Sequence, residues 1–294
     1  MAVGITTDTF FESAYITLQE YKDAPTSIDY DNLVVGGNAN AQDAELTNVI
    51  LRASSFMNEY LNQNLNATQY TETQRTRFMN SGYISLHPNN NPIISLSDFQ
   101  YGATPNTLVA LPDCSICWFE NQQIIIPVSD TANQYSSQGP LSFGGGYPNG
   151  IVYTQYTYVS GYVNNPIAVA TALASTITVA SGVGIVAGQR LRIFDGSKSE
   201  NVTVASTYTY GSVTVPIDGV LLYTHTAGVT IGNIPNVIKE ACILITTALL
   251  KARGDSSLTM QITTYPSSNI DGATRFGSDI KLALDMCDKY RRVR

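Results

Sequence analysis

Tyr153–Asn165 reads YTQYTYVSGYVNN, and Ile234–Arg253 reads IPNVIKEACILITTALLKAR. The first stretch alternates like a strand and ends at Gly161-Tyr162. The second opens with Pro235, tolerated in a first helical turn. It then sets Val237, Ile238, Ala241, Ile245, Ala248 and Leu249 as one buried stripe, and Gly254 follows as a stop signal. Each half reads as part of a strand–Gly-Tyr–Pro–helix unit. Between them, residues 166–234 are β-like throughout. The expected organisation is therefore a domain of residues 1–165 and 235–294, interrupted by a β domain at 166–234.

The block 166–234 contains TITVASG, AGQRLRIFDGSKSENVTVAST, SVTVPID and GVTIGNI, in which β-branched residues alternate with small or polar ones. About six short strands with regular turns predict a small barrel or sandwich. Asp195-Gly196 predicts a tight hairpin, because a type I′ turn needs positive φ.

Outside the block, Thr17-Leu-Gln-Glu20 is a capping-box pattern that opens a short helix before Pro25. In DAELTNVILRASSFMNEYLNQ (43–63), Leu46, Val49, Ile50, Ala53, Phe56, Met57, Tyr60 and Leu61 recur at three- and four-residue steps. That is one apolar helical face, with Asp43 and Glu45 expected in the first turn. Residues 68–80 are read as a second, shorter helix. Residues 82–102 read as strand, Asn/Pro turn, strand; 115–128 and 150–162 read as further strands; 129–150 read as an exposed loop. Residues 255–275 read as a loop or extended arm, and Ser278–Tyr290 as a final helix. The fold class is α+β: a helical core with a β hairpin, interrupted by an all-β domain.

Composition excludes several functions. The chain has 294 residues, 44% hydrophobic and only 13% charged, which argues for a folded protein. Net charge is −7, yet residues 235–294 carry nine basic and six acidic side chains, leaving −10 for the rest. An acidic body does not suit a general nucleic-acid binder, but acidic walls would let DNA slide past without sticking. No stretch is long and apolar enough to span a membrane, and the N-terminus lacks the pattern of a secretory signal. Four scattered cysteines fit a reducing compartment better than a disulfide scaffold.

Catalytic signals are poor. His87 precedes a proline in a turn and His225 lies in the β block, neither beside a nucleophile pattern. Cys114-Ser-Ile-Cys117 is a lone CxxC without the second ligand pair that zinc requires, and Cys242 and Cys287 fall on apolar helix faces. Gly182-Val-Gly184-Ile-Val-Ala-Gly188 misses the dinucleotide spacing and is followed by a strand. Gly144-Gly145-Gly146 lacks the Lys-Ser/Thr of a phosphate loop. Asp29, Asp31 and Asp195 read as turn residues. The chain is read as a non-enzyme with no cofactor and no metal. Lys289, Arg291, Arg292 and Arg294 crowd the C-terminus, either as a solvated tail or as an arm for an acidic partner surface.

Taken in order, several segments resemble a known family. They are YITLQEY (15–21), the helix with ASxxMNxYL (53–61), YISLxPxxxPIISL (83–96) with FQYG (99–102), the 153–162 strand, IPxxIKEA (234–241) and DKYRRVR (288–294). The run is similar to the tailed-phage head–tail connector family, the portal adaptors or head-completion proteins. That resemblance implies a virion neck protein, assembled in the host cytoplasm, that forms a twelve-subunit ring on the portal protein. Such a ring extends the channel for genomic DNA and offers a platform for the next neck or tail-completion protein. It also implies that Asp288, Lys289, Tyr290, Arg291, Arg292, Val293 and Arg294 dock on the portal. Tyrosine, present eighteen times, suits lateral ring interfaces. The alternative is a phage surface or tail binding module whose β domain recognises a carbohydrate or host receptor through Tyr208, Tyr210 and Tyr223.

Overall fold

A computed structural model describes residues 14–26, 28–31, 33–77, 83–127, 151–254 and 275–292. The expected loop at 129–150, with its triple glycine, and most of the expected arm at 255–275 lie outside them. The fold is mixed α and β with several small antiparallel sheets. It divides into two compact units, one built on Ala67–Gly161, the other on Phe11–Asn66 with Tyr162–Arg294. The divisions fall at 66/67 and 161/162.

The first unit is two sheets around one core. One sheet has the order β1 (Thr68–Arg77), β7 (Ile151–Ser160), β3 (Ile93–Gly102), β4 (Val109–Ala110). The other has the order β2 (Tyr83–Leu86), β6 (Gln123–Pro127), β5 (Trp118–Glu120). Ile84, Leu86, Ile124 and Ile126 from one meet Phe99, Tyr101, Val152, Tyr156 and Tyr158 from the other. The helix expected at 68–80 is instead β1, paired with β7 over all ten residues from Thr68↔Ser160 to Arg77↔Ile151. Threonines at 68, 71, 73 and 76 favour the pleat. The alternation was hidden because its inward series, Tyr70, Glu72, Gln74 and Thr76, is largely polar. Buried Glu72 is satisfied by the Tyr156 hydroxyl at 3.0 Å, the Tyr158 hydroxyl at 2.6 Å and the Asn89 N–H at 3.1 Å.

The second unit holds two cores. Its helices are α1 (Leu18–Asp23), α2 (Ala39–Leu61), α3 (Asn236–Gly254) and α4 (Arg275–Cys287). The capping box forms: the Glu20 N–H donates to Thr17 Oγ1, and the Thr17 N–H to Glu20 Oε2. Helix α2 starts earlier than expected, with Asn38 as its N-cap, so Asp43 and Glu45 fall beyond the first turn. Leu46, Val49, Ile50, Ala53, Met57 and Leu61 are buried against Ile238, Ala241, Cys242 and Ile245 of α3 and Ala283 and Cys287 of α4. Phe56, expected on that face, is exposed. Each fully buried aliphatic side chain stabilises by about 1.5–3 kcal/mol, so this interface fixes α2 against α3.

The second core belongs to the β block. Strands β8 (Asn164–Pro166), β10 (Arg190–Phe194), β11 (Glu200–Thr203) and β13 (Thr230–Gly232) form one sheet, ordered β11-β10-β13-β8. Strands β9 (Thr176–Thr178) and β12 (Thr214–Pro216) form a second. Val163, Ile177, Ile185, Leu191, Ile193, Val215, Leu221 and Ile231 fill the space within. Among the described residues no closed barrel forms. Gly232 is required by close approach, since a Cβ there would lie 2.1 Å from the Val163 carbonyl oxygen. The β10–β11 hairpin is wider than the tight turn read from Asp195-Gly196: a 3-10 turn, Gly196–Lys198, bridges it, with Gly196 at φ +50°. The glycines at 182–188 serve turns: Gly182 packs on Ser212 O, Gly184 and Gly188 have positive φ, and β10 follows.

Candidate functional site

The C-terminal segment is the candidate site. Helix α4 buries Ala283 and Cys287, leaves Lys281, Leu282 and Asp285 exposed, and pairs Asp279 with Lys251 of α3 at 3.6 Å. Burial pushes the Cys287 thiol up to about 11. The α-helix stops at Cys287, and the single helix expected over 278–290 becomes α4 followed by a 3-10 turn, Asp288–Tyr290.

This turn folds onto the end of α2. The Tyr60 hydroxyl donates to Asp288 Oδ1 at 3.1 Å, Gln63 Nε2 to the Tyr290 carbonyl at 2.7 Å, and the Arg292 N–H to the Leu61 carbonyl at 2.9 Å. The Tyr290 ring meets Tyr162 edge-on, 6.3 Å between centroids. Burial first, then the Asp288 carboxylate, push the Tyr60 phenol up. The segment's backbone is thus pinned.

Its charges are displayed. Lys289 and Arg291 are exposed. The Lys289 ammonium lies 4.7 Å from the Tyr290 ring centre, and the Arg291 guanidinium 4.9 Å from that of Tyr60. Neither has a carboxylate within ion-pair distance among the described residues. Cations steadied on aromatic faces over a fixed backbone can receive carboxylates at low ordering cost. Asp288, Lys289, Tyr290, Arg291 and Arg292 therefore come together, while Val293 and Arg294 lie outside the described residues. Tyr60, Gln63 and Tyr162 were missed as partners. The stripe pattern assigned Tyr60 to the core, and a contact across 228 residues leaves no local signal.

Other reactive groups are structural. Asp113 caps the 3-10 turn Cys114–Ile116. Burial, with Asp98 and Asp113 nearby, raises the Cys114 thiol, and burial pushes Cys117 up to about 12. Thiols held protonated are poor nucleophiles and poor metal ligands. Among the described residues no group of His, Cys, Asp and Glu is placed to hold a metal. His87 is exposed, and its backbone N–H donates to Gln74 Oε1 at 3.3 Å. Tyr208, expected on the surface of the β block, is buried and donates to the Ser212 carbonyl at 2.8 Å, leaving Tyr210 and Tyr223 exposed.

No family model and no curated protein match the chain. Among solved structures it is similar to a chain from the neck of an empty GTA particle computed with C6 symmetry. Identity is 11%, the match covers 95% of this chain and 94% of that one, and the TM-score is 0.36. Similarity at that level assigns neither fold nor function.

Proposed function

We propose that this chain is a structural virion neck protein, a ring-forming adaptor that binds a portal, extends the DNA channel and presents a platform for tail attachment. The observation carrying this reading is the pinned segment Asp288–Arg292, with Lys289 and Arg291 facing solvent beside Tyr60 and Tyr290. A rigid cationic and aromatic patch suits an acidic protein surface, where charge steers the encounter and aromatic area holds it. The order of the connector-like segments supports the same reading. In this scheme residues 1–165 and 235–294 form the adaptor and 166–234 is its insertion. Copies associate head to tail into a ring, which closes only if the rotation per subunit closes. Genomic DNA passes without sequence-specific contact, along walls that are acidic or neutral.

The test is cosedimentation and negative-stain imaging with the portal. Wild-type protein decorates the portal as a ring, and Lys289→Glu/Arg291→Glu folds but does not. Normal decoration by the double variant would remove the segment from the docking role. Failure of the wild type to decorate at all would remove the adaptor reading.

A second reading has its own observation. Tyr210 and Tyr223 are exposed on the β block together with Val169, Leu173 and Leu222. A binding module for carbohydrate would use such aromatics, and Tyr210→Ala/Tyr223→Ala would then abolish retention on host envelope glycans without changing portal decoration.

A further inference from the structure

Asp195, Glu200 and His225 stand together inside the β block. His225 is fully buried. Its Nδ1 is 2.7 Å from Asp195 Oδ2 and its Nε2 is 2.8 Å from Glu200 Oε1. A neutral imidazole carries one N–H and so satisfies only one of these contacts. Two ring protons, donated one to each carboxylate, satisfy both.

Glu200 is also bonded elsewhere. Its Oε2 accepts the Leu222 N–H at 2.9 Å, and its Oε1 the Tyr223 N–H at 3.1 Å. One carboxylate thus holds two consecutive amides and the histidine of segment 220–225. On the other side of that segment, the backbones of His225 and Ala170 exchange hydrogen bonds of 2.8 and 3.1 Å. The Leu173 N–H donates to the Leu221 carbonyl and the Leu221 N–H to the Ala174 carbonyl.

What these bonds hold is unusual in two respects. Leu173 sits at φ +66°, a left-handed conformation that is costly for a leucine and persists only when its surroundings impose it. Its side chain is 77% exposed, and Leu222 beside it is 71% exposed. The strained turn and the exposed apolar tip are both tied to the segment that Glu200 and His225 fasten.

We propose that Asp195, His225 and Glu200 form an acid-released latch that fixes segment 220–225 and the apolar tip it carries with Leu173. The charged groups facing the His225 ring are Asp195, from the β10–β11 connection, and Glu200, from the first position of β11. Segment 166–174, hydrogen-bonded to segment 220–225, contains no titratable side chain. Protonating Glu200 removes the negative charge that draws two amides and the His225 ring nitrogen, and leaves a hydroxyl that needs an acceptor. Burial would raise this carboxyl, but the Leu222 and Tyr223 amides and His225 bring it below its ordinary value of 4.5. A carboxylate with a depressed native value stabilises above its unfolded value, and that contribution is lost as pH falls through the native one. The latch therefore holds at neutral pH and opens only in acid, below the ordinary carboxylate range. This inference does not depend on the neck reading.

The test is amide hydrogen exchange by NMR on the full chain, expressed as protection factors to remove the intrinsic pH dependence. At neutral pH the Leu222 and Tyr223 amides are protected in the wild type and roughly tenfold or more less protected in Glu200→Gln, while Ile193 and Val202 are unchanged. On acidifying the wild type, Leu222 and Tyr223 lose protection before Ile193 and Val202. In a His87→Gln background, with one histidine left, the ring nitrogen spectrum at neutral pH shows two N–H groups. Wild-type protection in Glu200→Gln, loss of protection only together with Ile193 and Val202, or a ring with a single N–H would overturn the latch. If Glu200→Gln fails to fold, the wild-type acid titration and the ring spectrum still decide it.

Discussion

Arg292 donates its backbone N–H to the carbonyl oxygen of Leu61, the last residue of α2, at 2.9 Å. The final carbonyls of a helix have no partner within it. Here the chain's own C-terminal segment supplies one, just before Asn62 leaves the helix at φ 57°. The segment proposed to dock on a portal therefore also caps α2, and the two roles need separating.

Removing Asp288–Arg294 deletes the Arg292–Leu61 and Gln63–Tyr290 hydrogen bonds and the Tyr290–Tyr162 ring contact. Net hydrogen bonds of this kind contribute about 1 kcal/mol each, and an aromatic pair adds about 0.5–1.5 kcal/mol. The truncated protein is expected to unfold at lower denaturant than wild type, whereas Lys289→Glu/Arg291→Glu should shift the midpoint little. Denaturant melts of the three proteins check this. An unchanged midpoint on truncation would show that the cap is energetically idle.

Lys239 is almost fully buried between α1, α3 and β13. Its ammonium lies 2.6 Å from Glu20 Oε1, 2.8 Å from Thr230 Oγ1 and 3.9 Å from the Phe194 ring centre. Burial lowers its pKa, and Glu20 opposes that shift. Stranding one member of a buried pair costs about 3–5 kcal/mol, while replacing both can be nearly neutral. Glu20→Gln and Lys239→Met should each destabilise strongly, and the double variant less than their sum. A double-mutant cycle measured by chemical denaturation reads the coupling; additive losses would deny it.

Local signals carried much of the fold. The capping box at Thr17 and the apolar stripe of α2 were legible because they repeat within one or two turns. What was not legible depended on distant partners. Strand β1 looked helical because its inward carboxylate, Glu72, is paid for by two tyrosines more than eighty residues away. Asp195 read as a turn residue, yet its carboxylate faces His225 thirty positions on. The basic residues of the C-terminal segment were visible as composition. That its backbone is fastened to Leu61 and Gln63 was not, because no spacing rule links those positions.

Glu72 offers a check on the first unit. It accepts from Tyr156, Tyr158 and the Asn89 amide beside a core of aliphatic and aromatic groups. Hydrogen bonds to a charged group contribute about 1.5–3 kcal/mol each. Glu72→Leu would leave the Tyr158 hydroxyl without its acceptor and the Tyr156 hydroxyl with only the longer contact to Gln74 Oε1 at 3.3 Å, and should be more destabilising than Glu72→Gln. Adding Tyr156→Phe/Tyr158→Phe to Glu72→Leu should recover part of the loss. Thermal melts of the series would show this; no recovery would mean that the hydroxyls find other partners.

The buried thiols predict behaviour in alkali. Burial pushes Cys242 up to about 11 from an ordinary value of 9.0, and Cys287 likewise. A thiol is neutral when protonated, so a raised native value means the unfolded chain ionises first. Stability from these thiols is fully present below pH 9.0 and is lost as pH rises through about 11. Wild-type protein should lose stability over that interval more steeply than Cys242→Ala/Cys287→Ala, although the double variant starts lower because two cavities replace the sulfurs. Below pH 9 a thiol reagent should modify Cys242 and Cys287 at the rate of unfolding, and Cys114 earlier because it is only partly buried. Equal alkaline slopes for the two proteins, or rapid native-state labelling of Cys242, would mean that the α2–α3 interface opens to solvent far more often than its packing implies.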